Sequence, residues 1–117
     1  MRRQDVDVAV FVLDRLTYGP RNNASLAIAL IEHGLPAICP STEYVLAGCL
    51  MSYGPRNLDN YLRGAEFVDK ILRGANPAVL PVEQPTRFEL AVNLQTAKAL
   101  GVTFPASILL RADKVIE

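Results

Sequence analysis

The chain has 117 residues, half of them apolar, and balances twelve basic side chains against twelve acidic ones. A chain of this length reads as one domain that buries roughly two-thirds of its unfolded surface, and with no basic run longer than Arg2-Arg3 it offers no electrostatic reason to expect nucleic acid or an anionic membrane as partner. The opening residues lack the uninterrupted apolar run and small-residue cleavage site of a signal peptide, and no apolar segment approaches the roughly 18 residues of a membrane span.

Residues 6–13, Val-Asp-Val-Ala-Val-Phe-Val-Leu, are nearly continuously apolar and β-branched, which predicts a parallel strand covered on both faces. After a loop over 14–20, Asn22 or Asn23 can cap a helix over 24–33, which Gly34 ends and Pro36 prevents from restarting. Residues 36–40 then supply a second strand, so residues 6–40 form a β-α-β unit. One helical turn over 42–47, capped by Ser41 or Thr42, leads to a third strand over 49–53 that Gly54-Pro55 breaks.

Asn57 is placed to cap a long amphipathic helix in which Leu58, Tyr61, Leu62, Ala65, Val68, Ile71 and Leu72 recur at helical spacing and Gly74 marks the end. Such a stripe needs a partner surface. Residues 75–87, with Pro77, Pro81 and Pro85, read as an extended connector. Alternation of Phe88, Leu90 and Val92 with Glu89, Ala91 and Asn93 predicts a fourth strand; Asn93 caps a helix over 94–100 that Gly101 stops, and Pro105 opens a final helix over 106–116. The fold class is therefore α/β: a short, mostly parallel sheet with flanking helices in a three-layer-like arrangement.

Tyr18-Gly-Pro-Arg-Asn22 recurs as Tyr53-Gly-Pro-Arg-Asn57. Both copies read as strand-to-helix junctions where Gly-Pro turns the chain and Asn caps the next helix, at the strand ends where open α/β sheets place ligands. Groups that could carry catalysis are sparse. His33 sits in the last turn of a helix and reads as structural, the serines lack a nucleophile-elbow context, and Asp14 with Glu43 is a carboxylate pair only by conjecture. Cys39 and Cys49 read as small buried residues, although two cysteines could also form a bridge. With a single histidine and no cluster of ligands, neither a metal nor a cofactor is expected.

A binding cleft asks for less: polar groups and an aromatic ring at strand C-terminal ends. Asp14 and Arg15 follow the first strand, Ser41, Thr42 and Glu43 the second, and Ser52, Tyr53 and Gly54 end the third. An acid such as Asp14 or Glu43 could hold an amino group, Arg15 a carboxylate, and Tyr53 or Tyr18 an apolar or ring-bearing ligand.

The run from Leu80 to Pro105, with Leu-Pro-Val-Glu, Phe-Glu-Leu, Asn-Leu and Thr-Ala-Lys-Ala-Leu-Gly in that order, closely resembles the C-terminal signature of ABC-transporter substrate-binding proteins with the type I periplasmic-binding fold. Further phrases in register extend the resemblance over nearly the whole chain: Asp-Val-Ala-Val-Phe-Val, Gly34-Leu-Pro-Ala-Ile38, Glu-Tyr-Val-Leu-Ala-Gly and Leu50-Met-Ser-Tyr-Gly54. It implies a two-lobed protein that closes on a small solute, such as an amino acid, presents it to a membrane permease, and is not an enzyme. Family proteins are far longer, so residues 1–117 resemble a single α/β domain from their last third. The resemblance implies a periplasmic location, whereas the chain as written would stay in the cytoplasm. With much of the fold missing, the alternative is a non-catalytic module that forms homo-oligomers through the long helix, or in which that helix folds back on the short sheet.

Overall fold

The computed structural model describes residues 6–13 and 19–117. The described elements are β1 (Ala9–Val10), α1 (Pro20–Glu32), β2 (Ala37–Cys39), α2 (Thr42–Leu46), β3 (Met51–Pro55), α3 (Asn57–Leu72), a 3-10 turn (Pro77–Val79), β4 (Phe88–Asn93), α4 (Leu94–Leu100), α5 (Ala106–Leu109) and β5 (Lys114–Ile116). The strands form a five-stranded sheet in the order β1-β2-β3-β4-β5. Pairs β1/β2, β2/β3 and β4/β5 are parallel. This is the α/β architecture that the alternation of strand and helix patterns predicts. The chain separates into two compact units, one reaching Gly54 and resuming at Glu89, the other Pro55–Phe88.

In the first unit Ala9 and Phe11 donate backbone N–H bonds to the carbonyls of Pro36 and Ile38, each at 2.9 Å. The strand is covered on one face only, a correction to the expectation of two. Side chains alternate along a strand, and Ala9 and Phe11 pack against the core while Val8, Val10 and Val12 stay exposed. The cluster they pack against is Leu30, Ala37, Cys39, Tyr44 and Cys49. Cys39 and Cys49 are bonded to each other, with Cα atoms 6.6 Å apart. They are buried, as read from the sequence, but bridged rather than free, because the short α2 excursion returns the chain to the end of β2.

Helix α1 starts at Pro20, four residues before the expected position, and neither Asn22 nor Asn23 caps it. Proline suits the first helical turn because its missing N–H would have no partner there. The helix gives way at Gly34, whose φ is +60°, and His33 donates from Nδ1 to the Ala29 carbonyl at 2.8 Å. Strand β3 runs on through Gly54 and Pro55 instead of breaking there, since a proline at the end of a strand forfeits only one donor.

Asn93 caps α4 as predicted, its Oδ1 accepting from the Thr96 N–H at 2.9 Å, and Gly101 closes the helix with φ +68°. The final helix does not reach residue 116. It stops at Leu109, and Lys114–Ile116 form β5 against Ala91–Asn93. Asp113 makes the change: its N–H donates to the Leu90 carbonyl and its Oδ2 accepts from the Leu90 N–H, at 2.9 and 2.8 Å. Beyond that clamp Val115 and Ile116 are β-branched and suit a strand.

In the second unit α3 has the predicted amphipathic pattern, yet none of its residues is buried. Its start is Asn57 itself, with Arg56 at the cap position and no side-chain cap. Gly74, at φ +99°, lies just past its end. The connector is largely extended, as expected, apart from the 3-10 turn, where the Asn76 side chain accepts from the Ala78 N–H at 3.0 Å. Arg63 reaches from α3 to both carboxylate oxygens of Glu83, at 2.5 Å each, and also pairs with Glu66.

Candidate functional site

The sheet register places Cys39 opposite Ser52, so two residues further along the chain passes Ser41 on one strand end and Gly54 on the other. The two ends are in intimate contact: a Cβ built on Gly54 would lie 2.1 Å from the Pro40 carbonyl oxygen. Only glycine allows this approach.

Ser41 occupies the N-cap position of α2 with an extended backbone, φ −155° and ψ 164°, yet its side chain does not cap the helix. Its hydroxyl and that of Ser52 are buried, with residue exposures of 6% and 0%, and neither has a hydrogen-bond partner among the described residues. Burying a hydroxyl without a partner costs about 1–3 kcal/mol; Ser52, the second residue of β3, stands opposite the last residue of β2, and Ser41 lies two residues past that end. Thr42 and Glu43 continue into the first turn of α2, Thr42 half-buried and Glu43 exposed. Tyr44 and Val45 hold that turn in the core.

Of the sequence-predicted site residues, Ser41 and Gly54 thus come level with each other and Thr42 and Glu43 follow directly, whereas Ser52 lies two residues earlier, near the start of β3 and not at its end as expected. Tyr53 alternates with Ser52 and Gly54 along β3 and stands exposed on the strand's other face. Asp14, Arg15 and Tyr18 lie outside the described residues.

Sequence reasoning missed the support behind these residues. Asn93 donates from Nδ2 to the Val45 carbonyl at 3.0 Å, and Thr96 donates from its hydroxyl to the Gly48 carbonyl at 2.9 Å. Both bonds tie the start of α4 to the α2 region across 48 residues of sequence. Asn93 is legible as a cap, but no local pattern signals its second bond.

The second unit carries an open groove of about 570 Å³ lined by Asp59, Arg63, Phe67, Glu83, Thr86 and Arg87, among others. Its charge is internally answered. The Arg63 guanidinium holds the Glu83 carboxyl below the usual carboxylate range, chiefly through their hydrogen bonds, and Glu83 in turn raises the guanidinium. Arg63 and Lys70 also lie 5.6 and 5.4 Å from the centre of the Phe67 ring. No helix among the described residues is long and apolar enough to cross a membrane.

Similar solved structures include the following three. A conserved domain protein from Vibrio cholerae O1 biovar El Tor aligns at 27% identity with a TM-score of 0.86, over 93% of this chain and 36% of its own. An ABC domain in complex with L-Trp from Streptococcus pneumonia aligns at 25% identity and TM-score 0.87, over 97% and 38%. A ligand-free, open substrate-binding protein with adhesive properties from Clostridium difficile shares the fold at 23% identity and TM-score 0.62, over 95% and 36%. The chain thus spans a little over a third of the length of these structures. No curated protein matches it. Residues 3–116 match the family described as ABC transporter substrate binding protein. With nearly every residue inside that match and the same α/β fold in its structural neighbours, the chain belongs to the ABC transporter substrate-binding protein family.

Proposed function

We propose that this chain is a solute-binding component of an ABC transporter, or a portion of one, that takes a small solute such as an amino acid at the carboxyl ends of β2 and β3. The observation that carries the reading is the buried hydroxyl of Ser41, just past the end of β2 and next to the Pro40–Gly54 contact, together with that of Ser52 two residues earlier in the register, neither having a partner among the described residues. A polar ligand at those strand ends would satisfy them. The L-Trp bound to the pneumococcal neighbour supports an amino acid as the class to try first. In this reading Thr42 and Glu43, with Asp14 and Arg15 after the first strand, complete the ligand's surroundings, while Tyr53, on the other face of β3, stands apart from the two hydroxyls. Residues 1–117 act as one α/β domain matching the last third of a two-lobed binding protein. The chain carries out no catalysis, serves a permease as its membrane partner and works in the periplasm.

The test is thermal unfolding of the purified chain against panels of free amino acids, purines and sugars. A ligand at 100 times its dissociation constant adds about 2.7 kcal/mol, which for a chain of this size is a rise of several degrees. The expected result is a shift confined to one chemical class and abolished in the Ser41→Ala, Ser52→Ala double variant, whose ligand-free transition stays at or above that of the parent. No shift with any class would overturn the reading.

A second reading is supported by α3, whose apolar stripe is exposed throughout. In it the chain is a non-catalytic module that oligomerises and no longer binds solute.

A further inference from the structure

The candidate solute site stands on a loop whose two ends are joined by a disulfide. Cys39 is the last residue of β2 and Cys49 stands two residues before β3, so their bond closes over residues 40–48, which hold Ser41, Thr42, Glu43 and all of α2. Cys39 is also the register partner of Ser52. It thus stands opposite one unpartnered hydroxyl and two residues before the other.

The two sides of the loop are not held alike. On the far side the Val45 carbonyl accepts from Asn93 Nδ2 at 3.0 Å, the Gly48 carbonyl accepts from the Thr96 hydroxyl at 2.9 Å, and the Cys49 N–H donates to the Tyr44 carbonyl at 2.9 Å. Gly48 also backs onto α1, where a Cβ built on it would lie 3.1 Å from that of Ala27. On the near side Pro40 has no N–H to donate, and the Ser41 hydroxyl meets no partner among the described residues. The disulfide is the direct tie from this near side to the anchored one.

The surroundings suit a reduced pair as well as a bonded one. The Cys49 sulfur lies 3.5 Å from the Ala37 carbonyl oxygen and 3.7 Å from that of Met51. A bonded sulfur has no proton to give, but a thiol there would donate to either oxygen, so reduction leaves no orphaned donor at position 49. Two thiols cannot stay as close as two bonded sulfurs, and in a close-packed interior one side must give. Cys49 gains a hydrogen bond and sits on the anchored side, so the movement falls on Cys39 and the turn that follows it.

We propose that Cys39 and Cys49 position the solute site and that the state of their bond switches it. Bonded, they hold the turn over 41–43 in place; reduced, they release that turn while the rest of its unit stays folded. The proposal rests on the solute-binding reading above. The step is a thiol–disulfide exchange: a dithiol attacks one sulfur as its thiolate, passes through a mixed disulfide and leaves as its own cyclic disulfide, so that two electrons and two protons pass from the dithiol to Cys39 and Cys49. Both cysteines are buried, at 1% and 2% exposure, so attack proceeds through local opening of the turn. A solute that binds the bonded form more tightly makes the bond harder to reduce by the same factor. Because disulfides persist in oxidising compartments and yield to cytosolic thiols, such a switch confines solute capture to the oxidising side.

The test compares the oxidised chain with the chain reduced by dithiothreitol, well below either unfolding midpoint. Amide nitrogen relaxation is expected to give order parameters near about 0.85 over 41–43 in the oxidised chain and below about 0.6 on reduction, while Val45, Gly48, Asn93 and Thr96 stay rigid in both. Unchanged order over 41–43, or mobility spread evenly to Asn93 and Thr96, would overturn the proposal. Both samples are then titrated calorimetrically with L-tryptophan, followed by the remaining amino acids, purines and sugars. The oxidised chain is expected to bind one class about tenfold or more tightly than the reduced chain, within the usual range of coupling between two sites, and reoxidation should restore the affinity. The Cys39→Ala, Cys49→Ser double variant, which keeps a donor for the Ala37 carbonyl, should match the reduced chain with or without dithiothreitol. Equal binding in both states, or a double variant that binds like the oxidised chain, would overturn the switch alone; no binding in either state would overturn the solute reading and the switch with it.

Discussion

Gly54→Ala adds a single methyl group at the junction that holds the candidate site together. The backbone of Gly54 is not in the left-handed region, so alanine can adopt it and the added Cβ is the whole obstacle. That atom would lie 2.1 Å from the Pro40 carbonyl oxygen and 3.2 Å from its carbon. Real Cβ atoms essentially never approach another heavy atom within 3.0 Å, so the two strand ends must part by about 1 Å. The obstacle is main chain, not the tip of a flexible side chain, and cannot rotate away. Overpacking of this kind costs about 1–3 kcal/mol, and a backbone obstacle argues for the upper end. At about 4 °C per kcal/mol for a chain of this size, the transition should fall by roughly 10 °C.

Gly64→Ala is the matched control. It stands in the exposed middle of α3, where a Cβ meets nothing within 4 Å, and alanine there should stabilise the helix by about 0.5–1 kcal/mol. The same chemical change is thus expected to act with opposite signs at the two positions. Thermal unfolding followed by circular dichroism checks both. A Gly54→Ala transition within a degree or two of the parent would refute the claim that the Pro40–Gly54 approach holds the strand ends.

Reduction of the Cys39–Cys49 bond, which closes a loop of sequence separation 10, should lower stability by about 2.5–3 kcal/mol, read as a shift of the urea midpoint with and without dithiothreitol. Asn93→Ala removes a helix cap and the buried bond to the Val45 carbonyl together, and should cost about 2–3 kcal/mol; Asn93→Ser, which keeps a capping oxygen and loses the amide donor, should recover part of that. Because Arg63 lowers the Glu83 carboxyl, this ion pair stabilises the folded form above the unfolded carboxylate pKa and is lost as pH falls through the lower folded one. A carboxylate titration followed by NMR should therefore place the Glu83 midpoint below that of a free peptide carboxyl, and Arg63→Gln should return it to the ordinary range.

Much of the fold is legible because local patterns carried it. Asn93 and Gly101 bracket α4 as their side-chain and backbone chemistry require, and Phe88–Asn93 reads as a strand from its alternation alone. The errors arose where a long-range partner outranked a local preference. Pro105 opens a helix, but the Asp113 clamp onto Leu90, 23 residues away, turns the chain into β5. Gly-Pro in the second Tyr-Gly-Pro-Arg-Asn copy ought to end a strand, and instead completes β3, with Gly54 close against the Pro40 carbonyl. In the first copy, Gly-Pro starts α1. Asn22 and Asn57 cap neither helix, so the shared phrase does not carry the shared capping role that its recurrence suggests. Ser41 is legible as a strand-end residue, whereas Ser52, expected at the end of the third strand, stands second in β3; burial without a partner is a property of the packed sheet and has no sequence signal.

The molecule leaves two kinds of chemistry unanswered, and they call for different partners. Around the end of β2 it buries two hydroxyls with no partner among the described residues, a deficit that a polar ligand would offset. Along α3 it exposes leucine, tyrosine and valine side chains, each worth about 1.5–3 kcal/mol when fully removed from water, a deficit that only an apolar surface offsets. Removing the two hydroxyls alters the first and leaves the α3 stripe intact; a charge at Ala65 disrupts the second and leaves the strand ends intact. If solute response and self-association are separately encoded in this way, each variant abolishes one property and spares the other. Loss of both in either variant would mean that solute binding requires the associated form, and that the strand-end site is completed only when two copies meet.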